Sequence, residues 1–525
     1  MSMPPSPTRA VTRDEVAKHN SEGDLWVIID TFVYDLSKFA KFHPGGLSVL
    51  LDEDIAGKDA TTTFFGLHGM EVLNKPQNDR MIIARIEGEE PKIRRPEPGD
   101  LSRVPYGESN WLSPAFKSPY YNESHHRLRK DMRVFVDTKL YPEAQAYEVS
   151  GKEASVQAKR DMAESQLNHM RLGPGKHLHG RTLMGGVKGE DFDFFHELVV
   201  VQELSRIRAK GYSTGAMASI AIGLPPVMNF GKEPLRSQII REVLEGEKMA
   251  CLCITEAFAG SDVSGIKSRA VRQPDGSWIL NGTKKWITGG MYAEYFSVAA
   301  KTYGGDCPDG AISMFIVPRG EGVKTKFIPT MYSPSAGTAY VTFDKVRVEP
   351  EQLLGEEGKG LFIVLSNFNK ERWGLIAGAA ATCRLVTQDC IMWAAQREVF
   401  GKPLLSQPVI RLKLAAMIGK TEAAQNWLEN MTFQMTHMDY KTQAKHLAGQ
   451  LAFLKMMTTK WMNEVIDDAV QIFGGRALTK TGTGRFVERA HASKKFEAVG
   501  GGSEEIMGDL GMRQLMRDLP KDQKL

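Results

Sequence analysis

Two histidines and a few carboxylates are the residues through which this chain could do chemistry. His43 opens the run His43-Pro44-Gly45-Gly46, and His68 follows 25 positions later in FFGLHGMEVL. Two neutral imidazoles presented from facing loops or helix ends suit haem iron. Pro44 and the glycine pair turn the chain sharply beside the first ligand and let backbone approach a flat macrocycle. Phe39, Phe42, Leu50, Phe64, Phe65 and Leu67 are the apolar residues expected to line a dry slot. With both axial positions filled, the iron keeps no open site, and electron transfer is the expected role.

Further along, short motifs offer a different chemistry. CLCITEAFAGSD (251–262) puts a hydroxyl and backbone N–H groups in a glycine-rich turn, which can bond the polar edge of a flavin and tune it. NGTKKWITGG (281–290) adds Trp286, an aromatic face, between polar neighbours. Arg397 in REVFGKPL has a guanidinium fork suited to a pyrophosphate, and QIFGGRA (471–477) leaves bare backbone at Gly474 and Gly475. No GxGxxG follows a strand, so a nicotinamide cofactor is not favoured.

The elements that position these residues change texture along the chain. At 525 residues there is room for three or four domains. An apolar share of 42% and a charged share of 25% are ordinary for a folded protein and argue against disorder or a fibrous repeat. We expect a compact unit over 8–90, a Pro- and charge-rich linker over 91–110, a helical domain over 111–250, a β domain over 251–355 and a second helical domain over 356–517. Strand-like runs such as AISMFIV and AYVTF mark the β domain, with Asp-Gly and Asn-Gly turns between them. WGLIAGAAATCRLVTQDCIMWAAQ marks the return of helix.

Composition also excludes several classes. Lys plus Arg number 67 against 63 acidic residues, so the net charge of +4 predicts no nucleic-acid footprint. Five cysteines, never spaced CxxC, read as free thiols in a reducing compartment. No run of 18 apolar residues predicts a transmembrane segment. The tail Gln523-Lys524-Leu525 matches a peroxisomal Ser-Lys-Leu signal at two of three positions. A peroxisomal or cytoplasmic location is therefore expected ahead of a mitochondrial one.

From Thr12 to Glu87 the chain resembles the cytochrome b5 family, on LWVIIDTFVYDLSKFAKFHPGG and the later histidine. The resemblance implies a small α+β domain holding b-type haem, with His43 and His68 as iron ligands. It departs from the family after HPGG, where Leu47 and Ser48 replace the usual acidic residues that meet basic partners.

From Trp111 to about Leu515 the chain resembles the acyl-CoA dehydrogenase family, with the motifs above in that family's order. The resemblance implies a helical domain, a β-barrel-like middle domain and a C-terminal four-helix bundle, assembled as a homotetramer or homodimer. It implies FAD, bound by Cys253, Thr255, Gly260, Ser261, Trp286, Ile287, Thr288, Gln471, Phe473, Gly474, Gly475, Ser503 and Glu505. Arg397 and Phe400 would reach the flavin of a neighbouring subunit. Ser261, Asn369, Arg372 and Gly501 would meet the acyl-CoA substrate.

The reaction so implied removes a proton beside a thioester carbonyl and a hydride from the next carbon, giving a trans-2-enoyl-CoA. The proton needs a carboxylate whose pKa burial has raised. One branch of the family carries that Glu near the C-terminus, where this chain has Gly501 within AVGGGSEEIM. The long-chain and isovaleryl branches carry it on another helix in a Glu-Arg pair, matched here by Glu371-Arg372. Glu371 is therefore the expected base, ahead of Glu504 and Glu505, and long or branched chains are the expected substrates. Electrons would leave to an electron-transfer flavoprotein, another haem protein or oxygen, with the fused haem a possible first stop. The alternatives are an oxidase, a desaturase of a specialised thioester, or a flavoprotein without catalysis.

Overall fold

The computed structural model describes residues 9–73, 76–94, 96–520 and 522; the Gln523-Lys524-Leu525 tail lies outside the described residues. The first unit is built on a five-stranded sheet. Its strands are β1 (Ala10–Val11), β2 (Asn20–Ser21), β3 (Asp24–Ile29), β4 (Phe32–Asp35) and β5 (Ile82–Ile86), ordered β1-β5-β4-β3-β2. Alternation along β3 and β4 gives this sheet two apolar faces. Val11, Val16, Trp26, Ile28 and Val33 pack on one side, while Leu25, Val27, Ile29 and Tyr34 face the other. The second face lies under a layer of short helices, among them α1 (Thr61–Leu67), and these carry the histidines.

Among the described residues the 91–110 segment forms turns but no helix or strand before the short 3-10 turn at Asn110–Leu112, yet it is tied down at both ends. On one side the Asp30 carboxylate accepts from the backbone N–H of Lys92 at 2.8 Å and of Ile93 at 3.1 Å. On the other, Arg129 donates to the Gly99 carbonyl at 3.1 Å and Arg133 to that of Asp100 at 2.9 Å. Arg133 is itself buried between Glu108 and Glu203, with N–O distances of 2.5 and 2.6 Å. Pro-rich composition removed the regular hydrogen-bond ladders, and buried arginines satisfy the loop carbonyls instead. The segment is thus a strap rather than a free tether.

The helical region that follows includes α2 (Glu123–Phe135), α3 (Phe194–Ser205) and α4 (Lys210–Ala218). Asn122 with His125, and Asp193 with His196, form reciprocal capping boxes that start the first two of these helices. Leu128, Met132, Leu140, Leu167 and Leu178 make its core.

The β region is one eight-stranded sheet: β6 (Ala250–Cys253), β7 (Arg269–Arg272), β8 (Trp278–Ile287), β9 (Tyr295–Tyr303), β10 (Ile312–Pro318), β11 (Val323–Phe327), β12 (Ala339–Val348) and β13 (Leu353–Leu354). The path runs β11-β12-β8-β7-β9-β10-β13, with β6 parallel to β9. An Asp275-Gly276 turn, with Gly276 at φ +87°, returns β7 into β8.

The C-terminal region is a bundle of α5 (Phe368–Gln396), α6 (Pro408–His437), α7 (Ala448–Phe473), α8 (Arg485–Val499) and α9 (Glu504–Asp518). By length and composition the stretch Gly360–Gln396 is apolar enough to cross a membrane. Here it breaks at Asn367, and Trp373, Ile376, Ala380, Cys383 and Ala394 are buried inside the protein. The first unit comes near the loop before α8, where the Leu67 carbonyl lies 3.8 Å from where a Cβ on Gly482 would stand.

Candidate active site and haem pocket

His43 ends a short turn after Ala40–Phe42, and His68 follows the last residue of α1, so both rings hang from helix ends. The rings lie edge to face with centroids 6.1 Å apart. Two imidazole nitrogens sharing one metal at ~2 Å each would set ring centres about 6 Å apart, so the pair fits a single iron. Phe39 packs against His43 and Phe64 against His68, at 5.9 and 5.0 Å between ring centres. Phe39, Leu50, Phe64 and Phe65 are partly buried around the pair, as expected. Phe42 and Leu67 are not; both are exposed.

The second site is a cavity of about 1510 Å³ between the β sheet, α3, α4 and the bundle. Single small-ligand sites run to about 1,000 Å³, so this one has room for more than one large ligand. Thr255, Gly260, Ser261, Trp286, Ile287, Thr288, Asn369, Glu371, Arg372, Gly501 and Ser503 all line it. Its flavin-side wall is made by joining two motifs that are distant in sequence. Lys285 N–H donates to the Thr255 carbonyl at 2.9 Å. One strand position away, the buried Lys284 ammonium donates to the Ile254 carbonyl and to Glu256, each at 2.9 Å. Glu256 in turn accepts from Lys267 N, Ser268 N and the Ser268 hydroxyl. Trp286, at φ +58° and half exposed, turns its ring out of the sheet, a strained geometry for a bulky residue. At Gly260 a Cβ would meet nothing within 4 Å, leaving open space for a ligand. These features fit a flat aromatic cofactor.

Glu371 occupies the first turn of α5 and faces the cavity while protein surrounds it. Burial pushes its carboxyl up to about 7, against a hydrogen bond from Asn367 and the nearby charges of Arg372 and Lys370. The Asn367 amide donates to Glu371 Oε1 at 2.8 Å and to the Ala221 carbonyl at 3.1 Å. Opposite stands the turn Gly500-Gly501-Gly502, with Gly501 at φ +66° and Gly502 at φ +108°. Among the described residues the Gly501 N–H donates to no protein acceptor. Arg372 Nε donates to the Gly501 carbonyl at 3.1 Å, so it secures this turn as well as lining the cavity. Beneath, the wholly buried Lys455 ammonium donates to the carbonyls of Ala498 at 2.8 Å and Gly502 at 2.6 Å.

Other expected site residues lie outside this cavity. The Cys253 side chain is buried in the sheet core, its Sγ 3.7 Å from that of Cys251, because β6 alternation points it away from the cavity. Phe473 is likewise buried, stacked on Trp393 at 5.4 Å. Glu505 sits exposed on the first turn of α9, one position past the residues that face inward. Gln471, Gly474 and Gly475 are exposed at the end of α7, with open space at both glycines. Arg397 is exposed, and Phe400 stands at the tip of a tight hairpin, 96% exposed at φ +52°. Within one chain none of these five reaches the cavity.

Asn367, Lys455 and the Glu256–Lys284 pair were missed. A lysine inside the apolar run LAFLKMM and an amide one turn before the carboxylate were the available signals.

Comparison with known proteins identifies the family of each region. Profiles of the acyl-CoA dehydrogenase N-terminal, middle and C-terminal domains match residues 122–247, 251–346 and 358–516. The cytochrome b5-like haem/steroid binding domain matches residues 12–95. The acyl-CoA dehydrogenase apdG of Emericella nidulans is 32% identical over 81% of this chain and 98% of its own. Isovaleryl-CoA dehydrogenase of Oryza sativa subsp. japonica is 26% identical over 80% of this chain and 98% of its own. The butyryl-CoA dehydrogenase structure from Megasphaera elsdenii superposes with a TM-score of 0.64 at 25% identity, covering 76% of this chain and all of that one. FAD is the cofactor of this family, and the N-terminal domain is of the haem-binding type. The chain belongs to the acyl-CoA dehydrogenase family of oxidoreductases and carries a cytochrome b5-like domain at its N-terminal end.

Proposed function

We propose that this protein dehydrogenates an acyl-CoA thioester across its α,β bond, giving the trans-2-enoyl-CoA, with long or branched chains as substrates. The observation that carries the reading is Glu371, a carboxylate brought to about 7 by burial and facing the cavity that also holds Ser261, Trp286, Thr288 and Gly501. A base with that value is largely ionised just above neutrality, yet basic enough to take a proton from carbon. Asn367 holds the carboxylate and would keep one oxygen aimed at the substrate's α-carbon. The Gly501 N–H would donate to the thioester oxygen as negative charge develops there. Thr255, Ser261 and Thr288 would hold the flavin's polar edge, with Trp286 against a face.

FAD, when bound, supplies the hydride acceptor, and haem between His43 and His68 supplies a one-electron carrier. Arg397 and Phe400 are exposed and free to reach the flavin of a second copy of the chain, and the bare backbone at Gly474 and Gly475, with Gln471, would meet the adenosine half of FAD. The strap over 91–110 holds the haem domain to the body, which supports internal electron flow over recruitment of a diffusing haem protein. Electrons would then pass to an external acceptor such as an electron-transfer flavoprotein.

An anaerobic absorbance titration of the holoenzyme with acyl-CoAs of graded length and branching tests the reading. Flavin bleaching followed by the reduced-haem spectrum is expected. Bleaching with the haem left oxidised would remove the internal relay, and no bleaching with any thioester would remove the dehydrogenase.

A further inference from the structure

We infer that the cavity wall holds a polar recognition site, and that the preferred thioesters carry a hydrogen-bond acceptor, a carboxylate or a ketone, on the acyl chain. This rests on the dehydrogenase reading for the thioester and deepens it for the chain.

The inference starts from three charged groups that the proposed chemistry does not use. Arg171, Glu197 and Lys370 line the same cavity as Glu371, together with the apolar Val201, Leu204 and Trp373. Lys370 is one residue from the base. Its ammonium donates to the Leu172 carbonyl and lies 3.4 Å from Glu197 Oε1. Room for that pair comes from Gly173, at φ +81°. A Cβ there would stand 2.4 Å from Glu197 Oε2 and 2.7 Å from Lys370 Nζ.

After this pairing, two groups are left over. Glu197 Oε2 is buried with no hydrogen-bond partner, and so is Arg171 Nε. Among the described residues no carboxylate lies in ion-pair contact with the Arg171 guanidinium. Burial lowers Arg171 and Lys370 and raises Glu197, so the protein bears a cost for each. A wall built only for an alkyl chain would be apolar throughout, since an unpaired buried cation destabilises it. Lys370 faces the carboxylates of both Glu197 and Glu371, which leaves Arg171 as the cation without an ion-paired carboxylate of its own. A guanidinium with free N–H groups beside it matches an oxygen acceptor, with a carboxylate engaging the fork in two parallel bonds and a ketone in one. Glu197 Oε2 can then accept from a hydroxyl or a water that the ligand brings.

The test compares sets of acyl-CoAs matched in length, with an unsubstituted chain, an ω-carboxylate or a ketone at graded positions. Binding to the FAD-loaded full chain is measured by calorimetry, and flavin bleaching in parallel. A site built to hydrogen-bond a substrate group discriminates strongly against the analogue lacking it, so at least about a tenfold tighter Kd is expected for one substituted set. Arg171→Met should bring that ratio to near one. Arg171→Gln separates the two acceptors, keeping a ketone preference and losing a carboxylate preference. The Soret and flavin spectra report whether each variant is folded, and the wild-type comparison stands without either variant. Unsubstituted chains binding as tightly at every length would overturn the inference, as would a preference that survives Arg171→Met. Tight binding of a substituted thioester without bleaching would instead count against the dehydrogenase reading alone.

Discussion

Asn367 and Glu371 are one helical turn apart, and the amide of the first donates to the carboxylate of the second at 2.8 Å across the break that begins α5. The same amide reaches the Ala221 carbonyl, so the carboxylate is fixed relative to the wall behind it. A base held this way is ordered before substrate arrives, and losing it should be felt in the chemical step alone.

Glu371→Gln should therefore leave FAD bound and slow acyl-CoA bleaching of the flavin by on the order of 100- to 10,000-fold. In the wild type the carboxyl sits at about 7, above its ordinary value, so it is protonated and inactive as a base at low pH. kcat/KM should rise through pH 7 and level off above it. The same shift makes the folded state bind a proton that the unfolded chain has lost between pH 4.5 and about 7. Wild-type stability should then fall over that window relative to Glu371→Gln, read as a Tm difference at pH 5 and pH 8. Near wild-type bleaching in the variant would mean another residue takes the proton.

Asn367→Ala removes a hydrogen bond that favours the ionised form. The carboxyl should move up further, and the rising limb of the pH profile should shift to higher pH by about one unit, one bond's worth of energy. A shift downward, or none, would show that the amide does not hold the working carboxylate.

Much of this was legible in the sequence, and for a physical reason. Gly501, Trp286 and Glu371 stand out through short motifs, because a glycine run, an aromatic beside a turn and a Glu-Arg pair are contiguous in the chain and carry the family resemblance before any tertiary contact is known. Supports such as Lys455 and Glu256–Lys284 exist only once separate elements meet, and a buried lysine reads as a surface lysine until its burial is known. The Cys253 and Phe473 side chains lie away from the cavity. Each sits inside a motif, but strand alternation and helix facing bury the side chain in a core.

Lys284→Met breaks a buried ion pair and leaves the Glu256 carboxylate uncompensated. That should cost about 3–5 kcal/mol. Because Glu256 gathers the 254–268 loop against β8, the variant should also release FAD more readily. Denaturant titration and flavin retention on gel filtration check both effects. Unchanged retention with lowered stability would confine the pair to a folding role.

His43→Ala and His68→Ala should each abolish the low-spin haem spectrum while leaving flavin content and bleaching by substrate unchanged. The two rings stand on a domain whose sheet core is separate from the cavity, so the flavin site has no contact to lose. A fall in flavin content would show that the haem domain also supports the body.

Lys455→Met tests the turn opposite the base. The ammonium satisfies the Ala498 and Gly502 carbonyls, and removing it leaves two buried acceptors unpaired, at about 1–3 kcal/mol. Against this, burial lowers Lys455 to about 8, so the folded state resists carrying its charge. The sign follows from the two protonation states. Between about 8 and its ordinary value of 10.5, the unfolded chain binds the proton more fully than the folded one, so wild-type stability rises with pH there. The variant has no such term. The gap in Tm should therefore be present at pH 7 and widen toward pH 9.5, while bleaching slows because the Gly501 N–H loses its anchor. A gap that closes with rising pH would mean that the lysine is held as a cation by a stronger partner than these two carbonyls.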